Sequence, residues 1–140
     1  EMKIIVLGGG GAMGMVTVAD LAESPIVSEV VVGEANVELA EKVAEWTHSK
    51  KVATRKVDIT DRRSLVGAIS DVDAISNAAP FHLNLYVTKA AIEAGRHLTD
   101  ACMLWKGDIV DDGVLPPELG IEPKPFFDEL AKRSKNYRDC

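Results

Sequence analysis

Lys3-Ile4-Ile5-Val6-Leu7 runs directly into Gly8-Gly9-Gly10-Gly11-Ala12-Met13-Gly14, and this stretch decides the fold. An apolar, β-branched run without polar alternation reads as a strand buried on both faces, the pattern of a parallel sheet. The glycines that follow let the backbone turn at positive φ and approach another group closely, where any Cβ would interfere. Met15, Val18, Ala19 and Ala22 then recur at i, i+3, i+4 and i+7, so a helix is predicted from about Ala12. Strand, glycine turn and helix together place free N–H groups and the positive end of a helix dipole at one spot, ready for a pyrophosphate. Gly9-x-Gly11-x-x-Gly14 fits a dinucleotide fingerprint in its expected context between strand and helix. Gly8-x-x-Gly11-x-x-Gly14 fits as well, and the sequence leaves both registers open. A glycine turn can also serve helix–sheet packing alone. Glu34 tips the balance toward a ligand. It stands 20 residues after Gly14, at the end of the next apolar run Val30-Val31-Val32. There an acidic side chain meets the adenosine ribose hydroxyls of a dinucleotide.

Outward from that unit the same alternation repeats. Ser24-Pro25-Ile26 breaks the first helix and Val30 to Val32 supplies a second strand. Asn36 is a plausible N-cap for a helix from Val37 to about Thr47, with Leu39, Val43 and Trp46 along its packing face. Val52 to Asp58 reads as a third strand, and Asp61 caps a short helix carrying Leu65, Ala68 and Ile69. Asp58 and Ile59 stand at the carboxyl end of that strand, where ligands bind in open α/β sheets. They are placed against an adenine, while the alternative, that Asp58 only ends the strand, stays open. Asp73 to Pro80 forms a fourth strand and its exit, where small residues leave room for a flat ligand and the proline stops the ladder. A helix from about Leu83 to Ala94 ends at Gly95, and His97 to Asp100 is a fifth strand. The expectation is a Rossmann-like, doubly wound parallel α/β sheet in the order 3-2-1-4-5, with residues 1–104 as its core. Residues 105–140 read as part of the same domain: a Pro/Gly-rich loop from Lys106 to Lys124, then an amphipathic helix carrying Phe126, Phe127, Leu130 and Ala131.

Composition narrows the partners. A chain of 140 residues suits one ordinary domain. A net charge of −6 without a basic block disfavours nucleic acid, and no apolar run approaches the ~20 residues of a membrane span. Cys102 and Cys140 lack framework spacing, which suits a reducing compartment and a cytoplasmic address. His48, His82, His97 and Cys102 show no metal-ligand spacing, so no metal site is expected. Asp108, Asp111 and Asp112 lack a calcium-loop pattern. His82 follows Pro80 closely enough for substrate contact, though a partly exposed loop histidine is the plainer reading. Tyr86-x-x-Lys89 falls one residue short of the i, i+4 pair that activates a hydroxyl in short-chain dehydrogenases. No catalytic residue is identified.

KIIVLGGGGAMG at 3–14, VVVGEAN at 30–36, KVDITDRRSL at 56–65, DVDAISNAAPFHLN at 71–84 and AAIEAGRHLTDAC at 90–102 resemble a known family. It is the N-terminal Rossmann domain of the saccharopine dehydrogenase and lysine dehydrogenase family, and the resemblance spans roughly residues 2–104. It implies a domain that binds NAD or NADP within an oxidoreductase. Hydride transfer would run to or from an amino-acid-derived amine or imine, held by a separate substrate domain absent from this chain. It places Gly9, Gly11, Ala12, Met13 and Gly14 at the pyrophosphate and Glu34 at the ribose. Asp58 and Ile59 fall at the adenine, and Asn77, Ala78, Ala79 and Pro80 beside the ribose and nicotinamide. Many relatives carry an arginine after the acidic residue of the second strand, to receive a 2′-phosphate. Here Ala35 stands there, so NAD is favoured over NADP. The alternative is a stand-alone NAD-sensing regulatory module without catalysis. An exposed sheet edge beside the fifth strand is expected to pair two copies of the chain or to be covered by Lys106 to Arg138.

Overall fold

The computed structural model describes residues 2–100. Five strands, β1 (Met2–Leu7), β2 (Val27–Glu34), β3 (Val52–Lys56), β4 (Ala74–Asn77) and β5 (His97–Asp100), form one sheet in the order β3-β2-β1-β4-β5. Every pairing is parallel, with Val6 opposite Val32 on one side and Ser76 on the other. Four helices cross between them: α1 (Ala12–Glu23), α2 (Val37–Thr47), α3 (Arg62–Ile69) and α4 (Asn84–Ala94), the last preceded by a 3₁₀ turn at Phe81–Leu83. This is the doubly wound Rossmann-like arrangement that the alternating pattern implies.

Successive side chains of a strand point to opposite faces, which explains the two apolar clusters. Val6, Val30 and Val32 pack with Val18 of α1 and with Ala40 and Val43 of α2. Ile5, Leu7, Val31 and Ile75 pack with Leu65 and Ile69 of α3 and Val87 of α4. Complete burial of such a side chain contributes roughly 1.5–3 kcal/mol, so the central strands carry much of the fold. The helix ends obey their local signals. Asn36 Oδ1 accepts from Leu39 N at 3.3 Å, Asp61 Oδ1 accepts from Arg63 N and Ser64 N at 2.8 and 3.1 Å, and Gly95 closes α4 at φ +63°. On another flank, Asp71 takes two bonds from Arg55 and one from Lys3, which also pairs with Glu29. The network ties β1, β2 and β3 to the loop before β4.

Three expectations shift. The buried residues of α2 are Ala40 and Val43; Val43 is buried as expected, but Leu39 and Trp46, expected on the same face, are exposed by 37% and 50%. β3 ends at Lys56 rather than Asp58: Val57 N still bonds Glu34 O, but Asp58 N turns to Ser64 Oγ at 3.0 Å and leaves the ladder. The fourth helix begins at Asn84, after the 3₁₀ turn, rather than at Leu83. Among the described residues β5 pairs with β4 alone, and no helix is long and apolar enough to cross a membrane. The expected loop and final helix, both cysteines, the acids from Asp108 to Asp112 and the segment meant to cover β5 lie outside the described residues.

Candidate functional site

In an open α/β sheet the chain leaves its strands in opposite directions at the point where strand order reverses, and a crevice opens there beyond the carboxyl ends. Here the reversal falls between β1 and β4. A groove of about 560 Å³ lies there, lined by the turn after β1 (Gly8, Gly11), the exit of β2 (Glu34, Ala35), Leu39 of α2, the loop after β3 (Asp58, Ile59, Thr60) and the exit of β4 (Ala78, Ala79, Pro80).

The glycine turn is shaped mostly by the protein itself. Gly8 takes φ +70°, and a Cβ on it would stand 2.7 Å from Ala79 N across the crevice. A Cβ on Gly14 would stand 2.1 Å from Gly8 O, so the first turn of α1 is pressed onto the loop that precedes it. At Gly10 a Cβ would lie 2.5 Å from Cδ2 and Cγ of Leu39, a partly exposed side chain that would have to shift. Gly11 differs. Its backbone is ordinary extended chain (φ −73°, ψ 168°), and a Cβ there would meet nothing nearer than Gly8 O at 3.4 Å. Among the glycines of the turn, Gly11 is the one where a Cβ would meet no atom closer than ordinary contact, and it lines the groove. The N–H groups in the first turn of a helix have no intrahelical partners, and no side chain caps α1. A cradle without a Cβ beside uncapped N–H groups fits an anionic group such as pyrophosphate.

Two carboxylates stand on the groove wall. Glu34 Oε1 accepts from Gly10 N at 2.8 Å, which ties the end of β2 to the turn. Asp58 Oδ1 accepts from Thr60 Oγ1 at 2.6 Å and Thr60 N at 2.9 Å. Those bonds, the hydroxyl's first, hold the Asp58 carboxyl below its ordinary pKa. Among the described residues no lysine or arginine lines the groove.

Of the residues singled out in the sequence, the structure gathers Gly11, Glu34, Asp58, Ile59, Ala78, Ala79 and Pro80 around this groove. Gly9 and Gly14 are buried under the turn, and Ala12 and Met13 are exposed on the first turn of α1. Asn77 is wholly buried, with its amide engaged inside the protein. His82 is exposed, edge-on to Phe81 with ring centroids 5.9 Å apart, and stands off the wall. The wall residues that the sequence reading did not place at the site are Gly33, Leu39, Val57, Thr60 and Leu83. Leu39 had a signal, an apolar residue one step off the buried stripe of α2, but only the fold shows that it covers Gly10. Among the described residues no group of three His, Cys, Asp or Glu could hold a metal ion.

A family model described as the saccharopine dehydrogenase NADP binding domain matches residues 4–138. Its description names NADP, whereas the reading of Glu34 and Ala35 favours NAD. Among solved structures, apo saccharopine dehydrogenase (L-Glu forming) from Saccharomyces cerevisiae aligns with a TM-score of 0.64 at 21% identity, covering 77% of this chain and 23% of that one. Pen from Bacillus thuringiensis aligns at 0.61 and 18% identity over 71% of this chain and 36% of its own. An NADPH-dependent quinone oxidoreductase from Escherichia coli aligns at 0.55 and 22% identity, over 69% and 34%. At these identities the structural likenesses speak to the fold. The chain spans between 23% and 36% of the length of these three proteins.

Proposed function

Because this chain belongs to the saccharopine dehydrogenase NADP-binding domain family, we propose that it holds a nicotinamide dinucleotide in the groove at the carboxyl ends of β1, β2 and β4. The observation that carries this is Gly11. The fold has no use for a glycine there, and the space left free opens on the groove beside the uncapped start of α1.

On this reading the glycine turn lets the pyrophosphate approach, and the uncapped N–H groups of Ala12, Met13 and Gly14 at the start of α1 donate to it, while the Gly10 and Gly11 N–H groups stay on Glu34 Oε1 and Gly8 O. Glu34 accepts from the adenosine ribose hydroxyls. Leu39, Asp58 and Ile59 flank the adenine, and the small residues Ala78, Ala79 and Pro80 admit the nicotinamide half. When bound, the nicotinamide supplies hydride chemistry, and the protein supplies orientation and charge. The wider activity proposed is that of an oxidoreductase resembling saccharopine and lysine dehydrogenases, acting on an amino-acid-derived amine or imine. The groups that hold that substrate would then lie in other parts of a longer protein, in keeping with the 23% of the yeast enzyme that this chain spans.

Within a family named for NADP, the groove wall supports a preference for NAD. Among the described residues it carries Glu34 and Asp58 and no lysine or arginine, so a 2′-phosphate would face like charges with no cation from these residues to receive it. Calorimetric titration with NADH and then NADPH, beside a thermal shift, tests both statements. Micromolar NADH binding is expected, with NADPH about tenfold or more weaker. Failure to bind either cofactor would overturn the dinucleotide site. NADPH binding as tight as NADH would overturn the preference alone.

A further inference from the structure

Asn77 is the last residue of β4 and is 0% exposed. Its residue type and its place at a strand exit suggest a hand offered to a ligand, yet its amide faces inward. Oδ1 accepts from the Ala79 backbone N–H at 3.2 Å. Nδ2 donates to Asn84 Oδ1 and to Asp100 Oδ2, each at 3.0 Å. The three partners sit on the exit loop of β4, the first residue of α4 and the last residue of β5. One buried side chain thus joins the three segments that meet behind the β4 side of the groove.

The bond to Ala79 has a consequence for the groove. The Ala78–Ala79 peptide lies against Gly8 so closely that a Cβ on Gly8 would stand 2.7 Å from Ala79 N and 2.9 Å from Ala78 C. Gly8, Ala78 and Ala79 all line the groove. Without its acceptor the Ala79 N–H would be a buried, unpaired donor, and the peptide would rotate to find another partner. Any such rotation moves the surface that faces the ligand.

We propose that Asn77 is a positioning residue: through the Ala79 N–H it holds the Ala78–Ala79 peptide against Gly8, and so shapes the β4 side of the groove without touching the ligand. The inference rests on the dinucleotide reading. With pyrophosphate at the β1–α1 turn and the acid of β2 at the adenosine ribose, the nicotinamide half extends toward β4. Asn77 therefore sets affinity for that half and leaves the adenosine half alone.

The experiment titrates the full chain and its Asn77→Ala variant with NADH and with ADP, which carries only the adenosine and pyrophosphate. Asn77→Ala is expected to weaken NADH about tenfold or more while ADP changes less than about threefold. The blue shift of nicotinamide fluorescence on binding should shrink in parallel. Equal losses for both ligands, or no loss for either, in a variant that still melts cooperatively would overturn the assignment. If Asn77→Ala does not fold, the wild-type chain carries the test by NMR. The Ala79 amide should exchange slowly with solvent, and should shift with NADH but not with ADP. Fast exchange, or equal shifts with both, overturns the assignment. Absence of NADH binding to the wild-type chain, with the Ala79 amide still protected, overturns the dinucleotide site itself and leaves Asn77 a fold residue.

Discussion

Valine in place of Gly11 separates the ligand site from the fold. The backbone there is extended, and the new Cβ meets only Gly8 O at 3.4 Å. At an N-cap position the loss of glycine costs about 1 kcal/mol or less. A less flexible unfolded chain returns roughly 0.4–1 kcal/mol of that. The melting temperature should therefore move by no more than about 5 °C. Binding should fare far worse. Hydrogen bonds from backbone N–H groups to a charged phosphate contribute about 1.5–3 kcal/mol each. Pushing the pyrophosphate off two of them removes at least about 3 kcal/mol, or roughly 100-fold in Kd. Gly14→Ala is the opposite case. Its Cβ would stand 2.1 Å from Gly8 O and 2.7 Å from Gly9 Cα, backbone atoms that cannot swing aside. Overpacking of that kind costs about 1–3 kcal/mol, and the melting temperature should fall by several degrees. Calorimetry with NADH and a thermal melt on both variants read the two effects separately. Gly11→Val with affinity within about threefold of wild type would show that the turn serves packing alone.

Two other outcomes follow from charge. Arg55 first, and Lys3 after it, hold the Asp71 carboxyl well below the usual carboxylate range. Because the folded pKa is depressed, the stabilisation is fully present above the unfolded value near pH ~4 and is lost as the pH falls further. The Asp71 side chain is 50% exposed, so the pairing contributes about 1 kcal/mol or less and weakens in salt. Asp71→Asn should flatten the acid limb of urea-denaturation stability measured at pH 3, 5 and 7, and an unchanged limb would refute the pairing. At the groove, Glu34→Gln together with Ala35→Arg removes a repelling charge and adds a cation where a 2′-phosphate would lie. The ratio of NADPH to NADH affinity should rise about tenfold or more in parallel titrations. An unmoved ratio would place the 2′ position elsewhere.

Much of the architecture is legible in the sequence because its signals are local. Strands buried on both faces appear as unbroken apolar runs, and Asn36, Asp61 and Gly95 end or begin helices by bonds and angles within a few residues of themselves. The alternation of such elements then restricts the topology. What escaped depends on contacts between distant segments. Leu39 and Ala40 are both apolar and adjacent, so period alone cannot say which faces the sheet; the rotation of α2 against β2 decides it. The end of β3 depends on Ser64 Oγ accepting a hydrogen bond from Asp58 N. The resemblance places Asn77 beside the ribose and nicotinamide, but partners 7 and 23 residues further on hold its amide inside the protein.

The two glycine registers left open by the sequence share Gly11 and Gly14, and the structure gives these two different work. Gly14 is required by the backbone of Gly8, as Gly8 is required by Ala79 and by its own positive φ. Such glycines record close packing of a helix and a strand exit on one turn, whatever occupies the groove. Among the glycines of the turn, Gly11 is the one whose Cβ would meet nothing nearer than Gly8 O at 3.4 Å, so on the proposed reading it is the position through which a ligand requirement would act. A turn that seats a pyrophosphate does so equally for NAD and NADP, since both carry that group. Discrimination must come from the wall at the end of β2, where the 2′ position of the adenosine ribose is expected. There Glu34 accepts from Gly10 N at 2.8 Å, with Ala35 beside it and, among the described residues, no cation on the groove wall. If the groove holds a dinucleotide as proposed, the glycine turn serves either cofactor, and Glu34 and Ala35 are the positions where a choice between the two would be made.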